Sequence, residues 1–139
     1  MNRILIVEDT PSQAHVLRRQ IDEADREIES ARSVAEAIEK LAGTEFDLVI
    51  ADLRIKGLPD NKQAGLDVLR AVKQLRESIQ VIIVTNYATP ELSEEAMKLG
   101  AFDVLDRNPS PVGFSGMLRA KIRLALEHRR LMQLIERQQ

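Results

Sequence analysis

The aliphatic stretches of this sequence close on polar residues with chemistry to offer. Glu8 and Asp9 follow Ile4-Leu5-Ile6-Val7, Asp52 follows Leu48-Val49-Ile50-Ala51, Thr85 follows Val81-Ile82-Ile83-Val84, and Asp106-Arg107 follows the shorter Val104-Leu105. One acid behind a strand is ordinarily a helix cap or a solvated loop residue, and Asp9 before Thr10-Pro11 has that option. Several such residues at one edge of one sheet imply a site. Crowded carboxylates raise one another's pKa unless a cation lies among them. A hard divalent ion such as Mg²⁺ suits oxygen ligands of this kind and leaves positions for water or phosphate oxygens. A carboxylate can then act as a nucleophile toward phosphorus and give an aspartyl phosphate, with the hydroxyl and the cation holding the remaining oxygens. Asp52, alone at the end of the central run, is the candidate nucleophile. Glu8 and Asp9 are the candidate metal holders, and Thr85 and Arg107 the candidate oxygen partners.

The elements that must position these residues alternate between two periods. The continuous, β-branched aliphatic runs read as strands covered on both faces, with Glu27–Ala31 as a poorer edge strand. Between them the spacing turns helical. Ala14, Leu17, Ile21 and Ala24 follow Thr10-Pro11-Ser12-Gln13, an N-cap, a first-turn Pro and a capping-box pattern. Ser33 with Glu36 repeats that signal before Ala37, Ile38 and Leu41, and Gly43 suits a stop. Gly65 to Leu75 carries Val68, Leu69, Val72 and Leu75; Thr89-Pro90 opens a helix that ends at Gly100; Ser110-Pro111 opens the last. Strand and helix alternating about five times predict a doubly wound parallel sheet with helices on both faces. Ligands of such sheets bind beyond the carboxyl ends of the strands, where the strand order reverses.

Composition narrows the function. A chain of 139 residues suits one domain, and the absence of Cys removes disulfides, zinc–thiolate sites and thiol nucleophiles. The aliphatic runs are too short to span a bilayer, and Glu8 and Asp9 interrupt what would be a secretory signal, so a cytoplasmic location is expected. Residues 119–139 hold six basic and two acidic side chains, a charge of +4, against −6 for residues 1–118, which hold fourteen and twenty. An acidic body with four aromatic residues (Phe46, Tyr87, Phe102, Phe114) offers nucleic acid neither a basic surface nor a stacking platform.

With Gly100-Ala101-Phe102-Asp103-Val104-Leu105 added to the runs above, the chain resembles the receiver domain of bacterial two-component response regulators, from about Asn2 to about Leu126. The resemblance implies a five-stranded parallel sheet flanked by helices, the flavodoxin-like receiver fold. It implies Mg²⁺ held by Glu8, Asp9, Asp52 and the backbone carbonyl of Arg54, with Asp52 as phosphoacceptor and Thr85 as the switch hydroxyl. It implies a histidine kinase or phosphotransfer protein as donor, and a fourth helix and fifth strand that repack to engage a partner. The expected division is a receiver domain over 1–126 and a helical extension over 127–139.

Departures from the family pattern are specific. Arg107 stands where the family has Lys, with Asn108 in place of a Pro, and a planar guanidinium fork is not a point charge. Val104 replaces the usual aromatic switch residue. Gly65 lies 13 positions after Asp52, with Gly57–Gln63 reading as an inserted mobile turn. Tyr87, two residues after Thr85, occupies a position that modulates access to the phosphoryl group in the family. His15 reads as an exposed helix residue, and His128, followed by Arg129-Arg130-Leu131-Met132, lacks the acid and Pro of a kinase phosphoacceptor motif. The last helix, Val112 to Gln139, would run roughly 42 Å if continuous. Leu118, Ile122, Ala125 and Leu126 would face the core. Leu124, Leu131 and Ile135 form a second stripe, with His128 on it and Leu134 beside it, suited to pairing with a second chain.

The expectation is therefore a phosphoryl-accepting signalling switch rather than a turnover enzyme. Two alternatives stand beside it. One is a degenerate receiver acting as a phosphorylation-independent interaction or dimerisation module. The other is an aspartyl-phosphate phosphatase, which normally carries a second acid two residues after the nucleophile, where Arg54 stands here. DNA binding would require a further helical domain, and direct nucleic-acid or membrane binding by this segment is not expected.

Overall fold

Ten elements alternate without exception in a computed structural model that describes residues 1–52, 62–86, 88–107 and 111–138. The strands are β1 (Asn2–Val7), β2 (Arg26–Ala31), β3 (Leu48–Asp52), β4 (Gln80–Thr85) and β5 (Asp103–Asp106). The helices are α1 (Pro11–Ile21), α2 (Val34–Gly43), α3 (Lys62–Leu75), α4 (Pro90–Lys98) and α5 (Pro111–Arg137). All strand pairs are parallel, in the order β2-β1-β3-β4-β5, the doubly wound sheet expected from the two alternating periods.

The aliphatic strands are buried on both faces because helices cover both. Leu5, Val7, Val49, Ala51, Val81 and Ile83 meet the apolar sides of α2, α3 and α4 through Leu41, Leu69, Val72, Leu92 and Ala96. Ile4, Ile6, Ile50, Ile82 and Val84 meet α1 and α5 through Leu17, Ile21, Phe114, Leu118, Ile122 and Ala125. Leu126 packs against this second cluster from a partly buried position, so the core-facing stripe expected for the last helix is the one observed.

Helix ends follow most of the sequence signals, although α1 stops at Ile21 and leaves Ala24, expected on its stripe, beyond the helix. Ser33 Oγ accepts the Glu36 amide at 3.1 Å, and the Glu36 carboxylate reaches back to the Arg32 amide at 3.0 Å. Thr89 Oγ1 accepts the Leu92 amide at 3.1 Å. Thr10 makes no such bond, and the capping box expected with Gln13 does not form, since the Thr10 hydroxyl donates instead to Asp9 Oδ1 at 3.3 Å. Gly100 ends the α4 segment at φ +99°, a left-handed conformation that an L side chain rarely adopts. The inserted turn expected over Gly57–Gln63 is shorter at its far end, because Lys62 and Gln63 already belong to α3; Gly57–Asn61 lie outside the described residues.

α5 is one continuous helix of 27 residues, Gly113 and Gly116 included. It descends from the carboxyl edge of the sheet to the amino edge, where Arg129, 3% exposed, donates to Glu45 at 3.0 Å and to Asp47. Lys121 pairs with Asp103 at 2.8 Å and Arg123 with Glu23 at 3.2 Å, while Arg130 pairs within the helix with Glu127 at 2.7 Å. Arg119 donates to the Gln20 carbonyl at 3.3 Å. Lys121, Arg123 and Arg129 thus tie the helix to acids of the body.

Candidate phosphoacceptor site

The strand order sets the residues expected from sequence side by side. Glu8 follows the last residue of β1, Asp52 ends β3, Thr85 ends β4 and Arg107 follows β5, four neighbouring positions along one sheet edge. Strands in a sheet lie about 4.8 Å apart, close enough for these side chains to meet. The Glu8 amide donates to the Ala31 carbonyl at 2.9 Å, which continues the ladder and turns the carboxyl inward, where it is 1% exposed. Asp52 is fully buried, in register with Val84, and Thr85 is buried one position beyond. Asp9 stands at the edge of the group, hydrogen-bonded by Thr10.

The electrostatics are those of anions under compression. Burial pushes the Glu8 carboxyl up to about 9, and its hydrogen bond to Asp52 and the Asp52 charge push the same way. A further hydrogen bond with Asp9 adds to the effect, and only the Thr10 amide, donating to Oε1 at 3.1 Å, opposes it. Glu8 and Asp52 thus press each other toward sharing a proton, with the protonated form favoured on Glu8.

Arg107 answers the charge on Asp52 directly. Its backbone amide donates to the Thr85 carbonyl at 3.0 Å, and Nη2 donates to Asp52 Oδ2 at 2.7 Å. The guanidinium carbon lies 5.4 Å from the centre of the Phe114 ring, in the first turns of α5. A fourth contact closes the margin of the site: Asp106 Oδ2 accepts the Ala88 amide at 2.8 Å and ties the segment after Thr85 to β5. Sequence reasoning assigned no role to Phe114 or Asp106. The trace of Phe114 was its place as one of four aromatics, four residues before Leu118 on the buried stripe.

The family model for the response regulator receiver domain matches residues 4–112. The chain belongs to this family. Over 91% of its length it is 35% identical to the response regulator protein PilR of Pseudomonas aeruginosa, covering 26% of that protein. Over 90% it is 32% identical to the transcriptional regulatory protein ZraR of Escherichia coli, again covering 26%. The receiver domain thus spans about a quarter of the length of these curated relatives. Among solved structures, the signal receiver domain of a LuxO repressor protein from Vibrio parahaemolyticus superposes with a TM-score of 0.80 at 26% identity, each chain covered to 97%.

The donor set of the receiver site fits a divalent cation in its chemistry, because Glu8 and Asp9 follow β1 and Asp52 ends the neighbouring β3, which brings hard carboxylate oxygens to one sheet edge. Among the described residues no three acidic or histidine side chains close tightly enough to hold a metal by themselves. Mg²⁺ does not need that, since it is commonly held by one or two carboxylates with carbonyl, water and phosphate oxygens completing its shell. The Arg54 carbonyl, which the resemblance assigns to that shell, lies outside the described residues, as do Tyr87 and Asn108. Val104 is half-buried and packs against the cluster under α4, filling with an aliphatic side chain the place of the family's aromatic.

Proposed function

We propose that this receiver domain accepts a phosphoryl group on Asp52 from a phosphohistidine of a histidine kinase or phosphotransfer protein, and that the modified domain alters a protein-binding surface. The observation that carries the reading is the buried Asp52 carboxylate at a strand end, gripped by Arg107 at 2.7 Å and set beside the buried Glu8. An Asp52 oxygen attacks phosphorus as the phosphorus–nitrogen bond breaks. The electron pair returns to the imidazole, which takes up a proton, and an acyl phosphate remains on Asp52. Arg107 supplies a fixed positive charge to the phosphoryl oxygens and Thr85 a hydroxyl. Glu8, Asp9 and Asp52 would hold Mg²⁺, and Glu8 would release its proton as they do. That ion supplies charge neutralisation to the phosphoryl group when bound.

The test is incubation with acetyl phosphate and Mg²⁺, read by mass spectrometry. A stable phosphoryl gain on Asp52, absent in Asp52→Asn, supports the reading. No gain favours a phosphorylation-independent interaction module, for which the existing Arg107–Asp52 ion pair and Val104 speak. Steady phosphate release without accumulation indicates a phosphatase.

The reading includes a second copy of this chain as a partner through the α5 extension, residues 127–139. Leu124, Leu131, Leu134 and Ile135 stand exposed on it, and His128 shares their stripe. Nucleic acid and membrane are not partners of this segment in this reading: Lys121, Arg123 and Arg129 of α5 are engaged by the body's acids, and among the described residues no helix is long and apolar enough to cross a membrane. Light scattering with and without beryllofluoride should show a dimer that Leu131→Glu with Leu134→Glu abolishes.

A further inference from the structure

We propose that Phe114 is the positioning residue of the phosphoacceptor site, its ring holding the plane of the Arg107 guanidinium so that the fork addresses Asp52. The inference rests on the reading of Asp52 as phosphoacceptor. A lysine ammonium reaches an anion as a point charge in any orientation, whereas a guanidinium must present its edge. Arg107 reaches Asp52 through a long, rotatable stem, and only its backbone is fixed by the Thr85 carbonyl. Phe114 provides the missing constraint. It is 3% exposed, packed with Leu105, Val84 and Leu118, and its ring lies 5.4 Å from the guanidinium carbon, inside the range of cation–π attraction.

The fork held there is only half used. Nη2 engages Asp52 Oδ2, while Nη1 is buried and has no hydrogen-bond partner among the described residues. A buried donor left without an acceptor is costly, and a phosphoryl oxygen on Asp52 would supply one to a guanidinium already oriented. Because Phe114 belongs to the opening turns of α5, the same contact ties events at Asp52 to that helix, a route that does not pass through Val104.

The experiment measures the rate at which acetyl phosphate labels Asp52 in the presence of Mg²⁺. An Asp52 oxygen bonds to phosphorus as the bond to the acetate oxygen breaks, and acetate leaves with the electron pair. Phe114→Leu keeps an apolar side chain and removes the ring, and should label about tenfold more slowly. Phe114→Tyr restores the ring and should label within about twofold of the parent. In an Arg107→Gln background Phe114→Leu should cause no further loss. Leu118→Ala serves as the packing control, with a lower melting temperature and an unchanged rate. Should Phe114→Leu fail to fold, Phe114→Met takes its place. Parental labelling by the ringless variant, an equal loss in the Arg107→Gln background, or a Tyr variant as slow as Leu overturns the inference. A folded parent that takes no label at Asp52 instead overturns the phosphoacceptor reading, and this inference with it.

Discussion

The two edges of the sheet both bury charge, and they settle it in opposite ways. At the amino edge Arg129 lies between Glu45 and Asp47, the Arg3 amide donates to the other Asp47 oxygen at 2.8 Å, and Arg26 pairs with Glu23 and with the Ile21 carbonyl. Each buried cation there has its anions, and the result is a joint that fastens α5 to the start of β3. At the carboxyl edge Glu8 and Asp52 are buried side by side, Arg107 pairs with Asp52, and burial together with Asp52 pushes the Glu8 carboxyl toward its protonated form. A buried charge with its partners in place does structural work. Carboxyls buried against one another and perturbed in this way gather instead at functional sites.

Breaking this comparison starts at its strained side. Because Glu8 in the metal-free fold binds its proton up to about 9 against an ordinary 4.5, the folded state holds more protons than the unfolded chain between those values. Stability should therefore be greatest below pH 4.5 as far as Glu8 is concerned and fall by several kcal/mol on raising the pH through about 9. Denaturant titrations in EDTA should show this fall in the parent and a flatter profile in Glu8→Gln; parallel profiles would remove Glu8 as the proton holder. Magnesium should flatten the parent profile as well, because it replaces the proton.

At the satisfied edge, Asp47→Ala leaves Arg129 buried with one partner and should cost about 3 kcal/mol, measured by urea unfolding. Glu8→Gln at neutral pH should by contrast raise metal-free stability, because the parent must take up a proton on folding that Gln does not need, while magnesium binding followed by calorimetry is lost. The smallest contrast lies between two caps. Thr89→Ala should cost about 1 kcal/mol, whereas Thr10→Ala, which removes no capping bond, should cost clearly less in the same thermal melts.

The fold was legible because each strand is aliphatic on both faces and each helix carries a stripe, so the two periods separate cleanly. Strand ends differed by a residue or two at Arg26 and Gln80, polar residues that extend a ladder without an apolar signal. The crowding of Glu8 and Asp52 was legible too, since parallel topology brings successive strand ends to one edge. What the sequence could not display was which cation would answer them and how it would be held. The cap at Thr10 misled because its side chain turns to Asp9, donating to Oδ1, and does not accept from the first-turn amides as a cap would. Arg129 looked like one of six basic residues in a solvated tail, although its spacing from Phe114, Leu118, Ile122 and Ala125 places it on the buried stripe. A charged residue on an apolar stripe is the signal to look for its partners.

The anchoring of α5 at Arg129 makes that helix a lever with its fulcrum well toward the far end. By helical rise, Phe114 stands about 22 Å from Arg129 on one arm and Arg137 about 12 Å on the other. A sideways shift of about 2 Å at the first arm would emerge as roughly half that at the second, in the opposite direction. Such a rod delivers little travel beyond its pivot; what it transmits faithfully is tilt and rotation about its own axis.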